Sequence, residues 1–293
     1  MSPGQFGGIL GRAFEPLLLG DVREGVAEHA RPGPALDLPP VRIDRRRSLL
    51  KGLEDYRNQL TADPVAMDLS VRRQQAYDLL ASPQSRAAFD LSREPSRVRE
   101  RYGQHRAGQA CLLARRLVEA GVPYITVFFN TSVRGQDRAP DDTDAYGWDT
   151  HNDIFEALED HLLPRFDQTF SVLLEDLRER GLLDSTLVVC MGEFGRAPRV
   201  ALEKTFAGST PGRKHWAACY SIVAAGAGVT PGKVVGASDR SAAYPVTPAY
   251  SPGDVAATLF HALGLDPAGH YRDALDRPIR LAEGKPMRAL YEG

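Results

Sequence analysis

Four residues carry the side chains from which chemistry can be built. Asp149 and His151 stand two apart, Glu193 sits in a turn between Gly192 and Gly195, and His215 precedes Trp216. Two imidazoles and two carboxylates suit a divalent cation, with zinc, manganese or calcium as the candidates. Arg196, Arg199 and Arg213 lie in the same loops and suit the oxygens of an anionic group bound beside that cation. Asp153 and Asp167 are candidates to orient the ligands from behind; Asp167 falls between Phe166 and Phe170, a pattern that suits partial burial on a helix. Each residue also has a plainer reading. Asp149 could cap the helix that follows, His151 could be a surface histidine, His215 could be packed in its loop, and Arg196 or Arg199 could be solvated or paired with Glu203.

These residues are distant in the chain, so secondary structure must bring them together. Residues 186–191 form a short run rich in β-branched residues and read as a buried strand that delivers Glu193 just past its end. Residues 122–129 (VPYITVFF) read as another strand, followed by a long polar loop that ends in the Asp149 segment. Between them Leu158, Leu162, Phe166, Phe170, Leu173, Leu174 and Leu177 mark one face of a helix over residues 154–180, with Pro164 as its point of kinking. A strand, a helix and a strand in this order predict a right-handed parallel unit whose loops open at one edge, where Asp149, His151 and Glu193 converge. Residues 220–225 are a third strand, and His215 reaches the same edge if that strand runs antiparallel or its loop folds back. Residues 107–118 predict a helix that stops near Gly121, and Asp254 caps a last helix that ends at Gly264.

The first part of the chain differs. Residues 1–104 are helical and charged in pattern, with helical spacing at Leu49, Leu50, Leu53, Tyr56 and Leu60 and again from Val71 to Leu80, and four prolines within residues 31–40. The fold class expected is therefore α/β over residues 105–293, a mostly parallel sheet flanked by helices, preceded by a helical region over residues 1–104.

Composition sets outer bounds. With 293 residues and 43% hydrophobic residues, the chain can bury a sizeable core. A formal charge of -2 gives no electrostatic case for nucleic acid or an acidic membrane as partner. The basic pairs and triplet at Arg45–Arg47, Arg72–Arg73 and Arg115–Arg116 read as solvated helix faces. No segment is apolar enough for a membrane span, and residues 1–20 show no basic stretch followed by an apolar core. Cys111, Cys190 and Cys219 are odd in number and widely spaced, so a disulfide framework or cysteine zinc site is not expected. Glycine-rich phosphate loops and nucleophile elbows are not found in the sequence.

Several of these segments together carry a family resemblance. Gly147-Trp148-Asp149-Thr150-His151, the run Gly181 through Val189, Gly192-Glu193-Phe194-Gly195-Arg196-Ala197-Pro198, Gly212-Arg213-Lys214-His215-Trp216 and Ala225-Gly226-Ala227-Gly228-Val229 resemble the bacterial family called domain of unknown function 1501. That family is similar in turn to the alkaline phosphatase and sulfatase superfamily. The resemblance implies an alkaline phosphatase-like fold and hydrolysis of anionic phosphate or sulfate esters at a metal site. It implies that Glu193 stands where the superfamily has a metal-binding Asp, that Asp149, His151 and His215 correspond to further ligands, and that Phe194 replaces a ligand histidine. It also implies a nucleophile and a further ligand on strands upstream of this chain, so the C-terminal part of a longer protein, a split gene product or a chain with a wrongly assigned start is expected; members of that family are typically exported by the twin-arginine route. Thr150, Ser209 and Thr210 lie in the right loops, but the catalytic residue is unknown at this level. The alternative is a binding or scaffold module of the same fold without catalysis.

Overall fold

Tyr102, Cys111, Leu112 and Leu177 are nearly inaccessible to solvent, and around them three helices pack. In the computed structural model, which describes residues 16, 19, 22–24, 87–129, 147–273 and 275–292, these helices are α1 (Ser96–Tyr102), α2 (Arg106–Glu119) and α3 (Leu163–Glu179). Helix α2 starts on the side chain of His105, whose ring nitrogen accepts the Gly108 amide at 3.2 Å. Its buried face carries Ala107, Cys111, Leu112, Leu113, Ala114 and Leu117, a face wider than the helical repeat of Ala107, Cys111, Ala114 and Leu117 alone marks.

Arg115 departs from expectation. Instead of lying on a solvated face it is 1% exposed, with Asp176 of α3 at 2.9 Å, Glu94 at 3.0 Å and Glu119 at 3.0 Å. Its Nε and Nη2 reach the first two carboxylates without pointing their N–H bonds along the contact, so that attraction is ionic more than hydrogen-bonded. Asp176 accepts in addition from the Tyr102 hydroxyl at 2.9 Å and from Arg180 Nε at 2.7 Å. One ionic network thus ties the three helices together. The chain divides into compact units Met1–Arg93 and Glu94–Gly293, with α1 in the second.

The long helix expected over residues 154–180 is present but uneven. Ile154–Glu156 is α-helical, Ala157–Leu162 is a π-helical turn, and α3 follows with Pro164 in its first turn. Proline lacks an amide hydrogen, and the wider turn ahead of it is where the irregularity is absorbed. Ala157 and Leu162 are buried under Trp148 and Leu158. Trp148 also meets Phe129 and Phe166 edge-on, at 6.4 and 5.9 Å between ring centres. This aromatic cluster anchors the residue just before Asp149.

The strands pair differently from the parallel unit predicted. Val188–Cys190 (β1) pairs antiparallel with Val223–Ala225 (β4), Val189 opposite Ala224. Gly195–Arg196 (β2) pairs antiparallel with His215–Trp216 (β3), and His270–Arg272 (β5) with Pro278–Arg280 (β6). Residues 122–129 are extended but form no ladder with another strand among the described residues. The reason is local: after β1 the chain reverses through β2, β3 and the loop to residue 222, so β4 returns alongside β1 in the opposite sense. Helix α4 (Pro252–Ala262), with a reciprocal Ser251–Asp254 cap, covers the β1–β4 pair through Val255 and Leu259. Among the described residues no helix is long and apolar enough to cross a membrane. The helical spacings at residues 49–60 and 71–80, the proline-rich residues 31–40, the basic residues at 45–47 and 72–73, and the polar residues 130–146 lie outside the described residues.

Candidate functional site

The β2–β3 register sets the site. Arg196 stands opposite His215, and the Asp149 segment lies against both. Asp149 Oδ1 is 2.6 Å from His215 Nε2, 3.3 Å from His151 Nε2 and 3.6 Å from Arg196 Nη2. Asp149, His151 and His215 each offer one ligand atom, and these atoms all lie within 4.8 Å of one another. Three of the four ligands expected from sequence therefore converge, brought together by an antiparallel return rather than by parallel strands.

Glu193 is the exception and is corrected here. It is exposed and stands apart from the three-residue cluster. Its neighbour Phe194 takes the inner place instead, its ring centre 4.2 Å from that of His215. The cause is the short β2 strand: Gly195 is pressed so close to the Cys219 carbonyl that a Cβ would lie 2.2 Å from it, and the turn before it then faces Phe194 inward. The Glu193 charge still reaches Arg196, whose pKa burial lowers while Asp149 and Glu193 oppose that shift.

The three arginines have separate fates. Arg196 donates from Nη2 to the Trp148 carbonyl at 2.9 Å and from Nη1 to that of Arg213 at 3.3 Å, so it stands ready beside Asp149. Arg213 is a structural clamp: its Nη1 donates to the carbonyls of Ala197 and Pro198 at 2.8 and 2.7 Å. Arg199 is exposed and takes no part in the contacts of Asp149. Of the three, only Arg196 lies beside Asp149.

Of the two carboxylates proposed to orient ligands, neither is bonded to His151 or His215. Asp167 lies exposed on α3 because the buried face of the helix runs through Thr169, Asp176 and Leu177. Asp153, in a left-handed conformation at φ 54°, uses Oδ1 to accept from the amides of Ser209 and Thr210 at 3.0 and 2.7 Å and from the Thr210 hydroxyl at 2.7 Å. It fixes a loop rather than a ligand. Thr150 is buried at 1% exposure and the Thr210 hydroxyl is committed to Asp153, so neither stands out as a nucleophile.

His151 is 7% exposed, and burial lowers its pKa, a shift that Asp149 partly offsets. Its Nδ1 is buried without a hydrogen-bond partner. The main chain holds it instead, the Arg213 amide donating to its carbonyl at 3.2 Å. Gly212 makes that approach feasible, since a Cβ there would lie 1.5 Å from the His151 oxygen. Sequence reasoning missed Phe206, which stacks flat on the His151 ring at 4.0 Å with planes 7° apart. It also missed Asn152, 2% exposed, which binds the loop that carries Phe206. The Asn152 position immediately after a candidate ligand was the one available signal.

No curated protein and no solved structure matches the chain. The family model described as protein of unknown function (DUF1501) matches residues 3–291, so the chain belongs to the DUF1501 family.

Proposed function

We propose that the Asp149–His151–His215 cluster holds a divalent metal and that the protein hydrolyses phosphate or sulfate esters there. The observation that carries this reading is the convergence of two imidazoles and a carboxylate within 4.8 Å, with Arg196 3.6 Å from the same carboxylate oxygen. Two nitrogen donors and one oxygen donor fit zinc or manganese and disfavour calcium, which takes six to eight oxygens. A three-residue set also leaves positions for water or substrate, as catalytic zinc sites do. When bound, such an ion supplies Lewis acidity toward an ester oxygen and a more acidic water.

The chain's own residues do the rest in this proposal. Arg196 binds a non-bridging oxygen of the ester and offsets its charge. His215 and His151, neutral on their ligand nitrogens, keep the site from repelling a cation. The Phe194 and Phe206 rings flank the two imidazoles and limit the approach of water from those sides. Kinship with the alkaline phosphatase and sulfatase superfamily belongs to this proposal, on the strength of the motif resemblance around Gly181–Val189 and Gly192–Pro198.

A second reading has one observation in its favour. Asp149 is already engaged by His215, His151 and Arg196, and Phe194 occupies the turn where the superfamily resemblance implies a ligand. A binding module without catalysis would keep such a self-satisfied cluster. Metal analysis of the purified chain after incubation with zinc or manganese separates the two. One equivalent of metal, lost in Asp149→Asn and in His215→Ala, with turnover of aryl phosphate or aryl sulfate, supports the hydrolase. A folded protein that retains no metal overturns it, and one that binds metal without turnover favours the binding module.

A further inference from the structure

Metal-ligating histidines usually give their second ring nitrogen to a hydrogen-bond acceptor, which fixes tautomer and ring orientation. His151 lacks that support, because its Nδ1 is buried and unpartnered. What holds the ring instead is a strap formed by residues 203–210. We propose that Asn152 and Phe206 are positioning residues of this strap, and that they preset the His151 imidazole for metal before any metal arrives; this rests on the metal reading of the Asp149 cluster.

The strap is fastened at both ends to residues next to His151. Asn152 Nδ2 donates to the carbonyls of Glu203, Phe206 and Ala207 at 2.9, 3.2 and 3.1 Å, and its Oδ1 accepts the Glu203 amide at 2.9 Å. One buried amide thus closes the turn that carries Phe206. Asp153 fastens the far end, through the Ser209 and Thr210 amides and the Thr210 hydroxyl. The Asp153 amide also donates to the Thr210 carbonyl at 3.1 Å.

Phe206 itself is 43% exposed while His151 is 7% exposed. A half-exposed phenyl contributes little to a core, and its ring contact is with the one imidazole. A flat stack blocks rotation of the imidazole plane without engaging either ring nitrogen. The ring is therefore oriented by shape where a hydrogen bond would have consumed a donor. Nε2 stays directed at Asp149 and the neighbouring His215 ring, 4.7 Å away between centres.

Two measurements on the full chain test this. In histidine-labelled, metal-free protein, NMR is expected to show His151 ring protons displaced upfield by Phe206, with the assignment from His151→Ala. Phe206→Leu and Asn152→Ala remove that displacement. Zinc titration against a chromophoric chelator is then expected to show weakening of about 10- to 100-fold in both variants, the range for lost supporting contacts around a ligand. Because Phe206 is half-exposed, the melting temperature of Phe206→Leu stays within about 2 °C of the natural chain. In a His151→Ala background Phe206→Leu weakens zinc no further; an equal loss in both backgrounds marks a general disturbance and overturns the assignment. Phe206→Leu that binds zinc as tightly as the natural chain also overturns it, even if Asn152→Ala fails to fold. If the natural chain binds no zinc, the metal reading fails first and the strap proposal falls with it.

Discussion

Changing Asp176 to Asn removes one negative charge from a buried network and leaves its shape almost intact. Asp176 is 7% exposed and neutralises Arg115, 1% exposed, at 2.9 Å. Around them three guanidinium groups (Arg115, Arg116, Arg180) face three carboxylates (Glu94, Glu119, Asp176), so the loss of one carboxylate leaves buried positive charge uncompensated. Breaking a buried pair from one side costs about 3–5 kcal/mol. For a folding unit of this size each kcal/mol moves the melting temperature by about 2–4 °C, so Asp176→Asn should melt roughly 6–20 °C lower by circular dichroism. Removing the buried groups together, with Asp176→Leu, Arg115→Met and Tyr102→Phe in one chain, should recover most of that loss, because apolar replacement of a whole buried network is often neutral. The pH dependence has a fixed sign. Burial pushes the Asp176 carboxyl up, but the hydrogen bonds from Arg180 and Tyr102 and the Arg115 charge outweigh it and hold the pKa below the ordinary value. Its stabilisation is therefore complete above the unfolded-state pKa and is lost as the pH falls through the lower folded-state value, a loss that Asp176→Asn abolishes. A melting temperature unchanged by Asp176→Asn, or a triple variant less stable than the single one, would refute the assignment of this network as the tie between α1, α2 and α3.

Three further outcomes are expected. Gly212→Ala forces a methyl group against the His151 carbonyl, where a Cβ would sit 1.5 Å away, and should cost about 1–3 kcal/mol and weaken zinc binding, read by thermal melting and chelator competition. Zinc affinity should fall as the pH drops, because protons compete with the metal for the His151 imidazole; burial keeps the His151 pKa below its ordinary value, so that ring is protonated late in the descent and His151→Ala flattens the acid end of the curve. Cys111, 3% exposed with its thiol pushed up to about 12 by burial, should resist alkylation in the native chain and react only on unfolding, while Cys190 and Cys219, both partly exposed, react earlier by mass spectrometry.

The helices were legible because their signals are local. Ala107, Cys111, Ala114 and Leu117 repeat at helical spacing, and the chain leaves α2 and α4 at Gly121 and Gly264, where the sequence predicts. Strand pairing was not legible, since a three-residue strand such as Val188–Cys190 carries no mark of which partner it takes or in which sense. The buried role of Arg115 was hidden for a similar reason: its partner Asp176 lies on another helix, and an arginine on a charged helix reads as solvated. Of the site, Asp149, His151 and His215 were found by residue type, whereas Glu193 was misplaced because one residue of rotation in a tight turn exchanges a carboxylate for Phe194. Phe206 left no mark in the sequence, because its partner is set by the Asn152 hydrogen bonds to a loop about fifty residues away.

The charge balance around Asp149 bears on why a metal and an anion would share this place. Apart from the imidazoles, the centre comprises the Asp149 carboxylate and the Arg196 guanidinium, with Glu193 acting on Arg196 from farther out. A divalent cation added there turns the centre positive, and Arg196 then lies on the side from which an ester oxygen is attracted. Phosphate binding measured with and without zinc should therefore depend on zinc and weaken in Arg196→Ala; phosphate binding that is indifferent to zinc would separate the arginine from the metal.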